Sequence, residues 1–141
     1  MKTVTTLKTL NPEMVKAEVA RFWEILRSKR GEALASLYAP ECSVFGSTSR
    51  RPEPGRLAAA RRSREYCGSK TEMRVETGLI DIVMLSPTAA AASYNFQLHA
   101  SKVAHEGREE EHVVDGRCSQ VFAFDEQGDL KIFHEHMSIP S

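Results

Sequence analysis

His134, Glu135 and His136 near the carboxyl end carry the side chains best suited to proton transfer or metal ligation. On a β-strand residues two apart share a face, so His134 and His136 point one way, and Glu135 points the other way with Phe133 and Met137. A histidine pair holds a metal only with at least one further ligand. His99 is the candidate, but it lies at no fixed spacing, and HExH is not the helical HExxH of zinc proteases. No metal is expected. The pair is read as hydrogen-bonded histidines on the outer sheet face or at a subunit contact, with His136 kept as a candidate catalytic base. Glu135 is the sharper catalytic candidate: set among Phe96, Phe122 and Met137, a carboxylate would be taken out of water, which suits proton transfer. The plainer alternative has Glu135 paired with an arginine or reaching solvent.

The remaining candidates would bind rather than react. Trp23, Tyr38, Tyr66 and Tyr94 are core aromatics by default, but a phenol facing a pocket supplies an orienting hydrogen bond. With Phe96, Gln120, Phe122 and Met137 they form the predicted ligand-binding set. Cys118 and Ser119 sit in mid-strand and Ser138 lacks an orienting group, so no nucleophile is read. No glycine-rich phosphate loop occurs and no cofactor is expected. Cys42, Cys67 and Cys118 are an odd number without CxxC spacing, which points to reduced, packed cysteines. Arg50, Arg51, Arg56, Arg61, Arg62 and Arg64 form the densest charge cluster. Without interleaved aromatics it reads as a solvated face or as salt bridges to the acidic segment 106–111, not as a nucleic-acid site.

The elements that must position these residues fall in two blocks. Asn11 and Pro12 open a helix to about Lys29, with Val15, Val19, Phe22, Trp23 and Leu26 at helical spacing. A shorter helix is predicted over 32–38, stopped by Pro40, then a short strand over 42–46, a loop, and a third helix over 56–66. From Thr71 the pattern turns extended: a run to Leu85 with Gly78 as a bulge or bend, then Ala92, Tyr94, Phe96 and Leu98 alternating with polar residues. Segment 105–115 reads as a hairpin tip and solvated margin. Strands over 117–124 and 130–138 are joined by DEQGD, a turn centred on Gly128. Helices first and hairpins after imply an α+β fold: three N-terminal helices packed on a curved, mainly antiparallel sheet, leaving a cone-shaped interior. Residues 1–10 read as a flexible arm and 11–141 as a single domain.

The 141 residues suffice for one domain with its own core. Equal basic and acidic totals, 19 each, give no global field for nucleic acid or anionic membrane. No apolar run approaches a membrane span and the first residues lack a secretory core, so a cytoplasmic protein without membrane partners is expected.

Two stretches, FWEILRSKRGEALASLYAPECSVFGS and GRCSQVFAFDEQGDLKIFHEHMSIP, set in this order of elements, resemble the nuclear-transport-factor-2-like superfamily. Within it the sequence is most similar to SnoaL-like domains and to the association domain of calcium/calmodulin-dependent protein kinase II. The resemblance spans about residues 13 to 140 and implies the cone fold. That scaffold serves isomerases, cyclases, dehydratases, transport factors and assembly domains alike. The association domain's inward arginines match Phe96, Gln120 and Met137 here, none of them basic, so the resemblance implies a more apolar pocket and disfavours a carboxylate ligand. The steroid-isomerase pattern of a tyrosine with carboxylic acids cannot be placed residue by residue. Three functions follow as expectations: binding of a small, largely apolar ligand by a homodimer joined through its sheet face; an isomerase-, cyclase- or dehydratase-type enzyme using a pocket carboxylate or histidine; or a non-catalytic oligomerisation module.

Overall fold

A computed structural model describes residues 8–28, 31–46, 50–54, 57, 70–103 and 107–139. Asn11 caps the first helix, α1 (Pro12–Arg27), its Oδ1 accepting from the Met14 N–H at 2.9 Å, and Pro12 occupies the first turn, where a missing N–H costs nothing. Val15, Val19, Phe22, Trp23 and Leu26 are buried at the predicted spacing, and Ser28 ends the helix by donating to the Ile25 carbonyl at 2.8 Å. Of the arm expected over 1–10, residues 1–7 lie outside the described residues. Leu10 is buried and its N–H donates to the Pro87 carbonyl.

The second helix, α2 (Gly31–Ala35), is shorter than expected. Tyr38 opens a strand, β1 (Tyr38–Phe45), in place of closing a helix. Tertiary pairing overrides the local pattern here: the Ile132 N–H donates to the Leu37 carbonyl at 2.9 Å, and β1 runs parallel to the last strand. Pro40 falls within the register irregularity between Tyr38 and Ser43, where a residue without an N–H is tolerated. The third helix expected over 56–66 lies outside the described residues except for Leu57, so two helices stand among those described.

Six further strands follow: β2 (Glu53–Pro54), β3 (Lys70–Thr77), β4 (Asp81–Ser86), β5 (Ala89–Val103), β6 (Glu109–Phe124) and β7 (Leu130–Ser138). The sheet order is β2-β1-β7-β6-β5-β3, with β4 also paired to β5. All pairs are antiparallel except β1 with β7, so the sheet is mixed and the fold α+β. The predicted run to Leu85 breaks at Gly78 as expected: β3 pairs with the second half of β5 and β4 with the first. The turn at Gly128 is also as read, with φ +81° and Asp125 Oδ1 accepting from the Gln127 and Asp129 N–H groups. The acidic margin is longer in strand than expected, because β6 is one continuous strand from Glu109.

The core lies between α1 and the sheet face that carries Tyr94, Phe96, Phe122 and Ile132. Gly116 sits opposite Phe96, whose ring lies where a Cβ would be, 2.1 Å from its ideal position. Glycine is required there for close approach, and the ring so seated lies tilted against Trp23, with ring centres 4.6 Å apart. No described helix is long and apolar enough to cross a membrane.

Candidate functional site

The orientation of Glu135 is set by a bulge. Val121 pairs with His134 but Phe122 pairs with Ile132, leaving Phe133 as the extra residue on β7. The insertion allows Ile132, Glu135 and Met137 all to be buried, with His136 exposed on the opposite face. The expectation that Phe133 shares the face of Glu135 is corrected accordingly: strict alternation fails at the bulge, and Phe133 is half-buried.

Glu135, Gln120 and Tyr38 are each 0% exposed. The Tyr38 hydroxyl donates to Glu135 at 3.0 Å from Oε1 and 2.9 Å from Oε2. The Gln120 amide donates to Oε1 at 2.7 Å. Behind it, the Tyr94 hydroxyl donates to Gln120 Oε1 at 2.8 Å and accepts from Trp23 Nε1 at 2.9 Å. Five side chains from α1, β1, β5, β6 and β7 thus form one chain ending on the carboxyl group. Neighbouring strands supply the reach: Tyr94 pairs with Cys118, and Gln120 pairs with Glu135. Among the described residues every buried side-chain nitrogen and oxygen has a hydrogen-bond partner, as expected where desolvation would otherwise be costly.

Burial pushes the Tyr94 phenol well above its usual range, the neighbouring Cys118 and the charge of Glu135 push the same way, and the Trp23 hydrogen bond opposes them. Tyr94 is therefore a neutral donor at any physiological pH.

The structure brings together Trp23, Tyr38, Tyr94, Gln120 and Glu135 from the sequence-predicted set, with Phe96, Phe122 and Met137 buried in the same core. Tyr66 lies outside the described residues. His136 is not brought to Glu135: its ring lies 5.7 Å from that of Phe45 on the outer face. His134 shares a 2.9 Å hydrogen bond with Ser43 Oγ, and His99 lies apart, 3.0 Å from Glu111 Oε1 and 2.9 Å from Gln97 Oε1. Among the described residues no group of three or more His, Cys, Asp or Glu could hold a metal. Cys42 and Cys118 are buried free thiols, as read; Cys67 lies outside the described residues, as do Arg56, Arg61, Arg62 and Arg64 of the basic cluster.

Sequence reasoning missed Cys118 as a neighbour of Tyr94, although alternation with Gln120 and Phe122 put it on the same face. It also missed that Trp23 contributes its N–H as well as its ring.

Grooves open on the surface among the described residues. One, about 500 Å³, runs between α1 and the Gly128 turn and is lined in part by Met14, Arg21, Phe124 and Lys131. It does not reach Glu135. Two smaller ones, about 250 and 210 Å³, meet at Thr77 and are walled by Phe96 and by Trp23 respectively. Trp23, the outer end of the Glu135 chain, thus also lines one of these grooves, and its ring contacts Phe96, which lines the other.

The model of one family, the SnoaL-like domain, matches residues 15–141. The chain belongs to the SnoaL-like family. Solved structures agree on the fold. A provisionally named scytalone dehydratase from Novosphingobium aromaticivorans superposes with a TM-score of 0.76 at 14% identity, over 90% of this chain and 82% of that one. A provisionally named calcium/calmodulin-dependent protein kinase II association domain from Xanthomonas campestris gives 0.73 at 16%, over 99% and 98%. A nuclear-transport-factor-2-like protein from Salmonella enterica gives 0.73 at 19%, over 92% and 90%. No curated protein matches the sequence. This SnoaL-like chain thus has the superfamily fold that the resemblance implied, at identities that speak for the fold alone.

Proposed function

We propose that this SnoaL-like protein takes a small, largely apolar molecule into the interior of its cone and that Glu135 moves a proton on it, in an isomerase- or dehydratase-type reaction. One observation carries the reading: a carboxyl group with no solvent exposure sits among aromatic side chains, held by the Tyr38 phenol and the Gln120 amide. Burying a carboxylate costs several kcal/mol that an apolar residue of similar size would not, which favours a use for it. A carboxylate so placed takes a proton from carbon beside a carbonyl. The electron pair left on carbon moves toward the carbonyl oxygen; in an isomerisation Glu135 returns the proton to another carbon of the enolate, and in a dehydration the pair forms the double bond while the β-hydroxyl leaves as water with the proton that Glu135 has taken. Tyr38, freed from Glu135 by the incoming molecule, can turn its hydroxyl to the substrate oxygen. Two of the similar structures carry provisional dehydratase names, which supports the same class.

Entry in this reading is past Trp23 and Phe96, which line the two smaller grooves and are both buried in the core. Testing uses the intact protein with a panel of small cyclic ketones and β-hydroxyketones, read by proton–nitrogen NMR. Shifts at the Gln120 side-chain amide, the Trp23 indole and the Tyr94 backbone are expected, together with turnover that Glu135→Gln removes. A panel that shifts only surface residues would overturn the reading.

The protein is further read as a homodimer joined through its outer sheet face. There Val83, Ala91, Val121 and His134 lie in register across β4, β5, β6 and β7, and Val83 is 58% exposed.

A further inference from the structure

We propose that Trp23, three hydrogen bonds away from Glu135, is a positioning residue that fixes the direction of the whole chain and so keeps the carboxyl group ready to accept a proton. Trp23 acquires this role only if Glu135 is the proton-transfer group proposed above. The indole N–H can donate and cannot accept. Every other member between it and the carboxyl group can reverse: a phenol hydroxyl both donates and accepts, and a primary amide can turn over. At 2.9 Å the indole occupies an acceptor position of the Tyr94 oxygen, so the Tyr94 proton goes to Gln120 Oε1 at 2.8 Å. With its oxygen thus engaged, the amide presents its nitrogen to Glu135 Oε1 at 2.7 Å.

The reversed arrangement shows why the fixed donor matters. Were the Gln120 amide turned over, its nitrogen would face Tyr94, whose oxygen would then meet two donors. The Tyr94 proton would be left to the Cys118 sulfur alone, a weak acceptor that already hydrogen-bonds with this phenol. The amide oxygen would face a Glu135 oxygen, and two acceptors are joined only by a proton held between them. That is the wrong form for a base. Trp23 disfavours this arrangement without touching Glu135.

Other titratable groups around the carboxyl group do not set this direction. Tyr38 on β1 donates to it and can turn either way; Cys118 on β6 and Cys42 on β1 are buried thiols; His134 and His136 on β7 lie on the opposite face. The single indole N–H is the one link in the chain that chemistry forbids to reverse.

The chain contains one tryptophan. It can therefore be replaced throughout the intact protein by benzothienylalanine, which has the shape of tryptophan with sulfur in place of N–H. The Gln120 side-chain amide is then followed by proton–nitrogen NMR, with no ligand present. Loss of the fixed donor is expected to add a second set of amide signals, from the turned-over group whose nitrogen faces Tyr94, where the natural protein shows one set. Tyr94→Phe, which breaks the next link and leaves the indole in place, is expected to do the same. A side chain that only filled space would leave a single set, and a single unchanged set in the analogue protein overturns the proposal. Because nothing is added, a failure of the ligand panel would sink the proposed function and leave this measurement standing.

Discussion

At the scale of single residues, the most consequential group is the Tyr38 hydroxyl. It lies within hydrogen-bond distance of both oxygens of a carboxyl group that has no solvent exposure. Tyr38→Phe removes that donor while keeping the ring that packs edge-on against Phe22. A loss of about 1–3 kcal/mol is expected in urea unfolding followed by circular dichroism, the cost of leaving a buried polar group short of a partner. Tyr94 gives a pH signature. Its phenol is raised in the folded protein above the value of 10.0 it has when exposed, so above pH 10 the unfolded chain releases the proton more readily than the folded one. Stability should be unaffected by this group below that pH and fall as pH rises beyond it. In Tyr94→Phe the alkaline fall should be shallower, which thermal melts across pH 9 to 11 would show; an identical fall would remove Tyr94 as its source.

At the scale of elements, the seat of the Phe96 ring is the point of least tolerance. Gly116→Ala places a methyl group within 2.1 Å of that ring, which already lies against Trp23. The variant should lose about 1–3 kcal/mol, the usual cost of overpacking, and Phe96→Leu in the same chain should return part of it. Additive losses in the double variant would show that the two positions do not press on each other. These elements also show what was legible from residues alone. The alternation from Ala92 to Leu98 and the DEQGD turn are local signals, and β5, the Gly128 turn and the inward Tyr94 follow them. Tyr38 was placed on a helix because Leu34, Leu37 and Tyr38 keep helical spacing. What overrides that spacing is a parallel partner 94 positions away, Ile132, which no local pattern announces. The bulge at Phe133 is equally silent in sequence, since only the register of β6 against β7 reveals the extra residue. For Glu135 the sequence offers either a pocket carboxylate or one paired with an arginine or reaching solvent, and it does not name the partners: Tyr38 and Gln120 meet it through pairings that exist only once the sheet is assembled.

At the scale of the whole molecule, the sheet has two unlike faces. Its inner face holds the closed polar chain, and its outer face presents Val83, Val121, His134, His136 and Phe45. If the outer face joins two copies, Val83→Glu should shift the protein from dimer to monomer in light scattering and leave the Gln120 side-chain amide signals unchanged. A monomeric natural protein would remove the dimer reading and leave the interior reading intact. The placement of Trp23 has one more consequence. A lone indole, buried, in contact with Phe96 and hydrogen-bonded to Tyr94, makes the protein its own optical probe. Emission excited at the red edge of its absorption comes from the cone interior and from nowhere else in the chain. Its colour and lifetime report when water, or any other molecule, first arrives beside the Tyr94 hydroxyl.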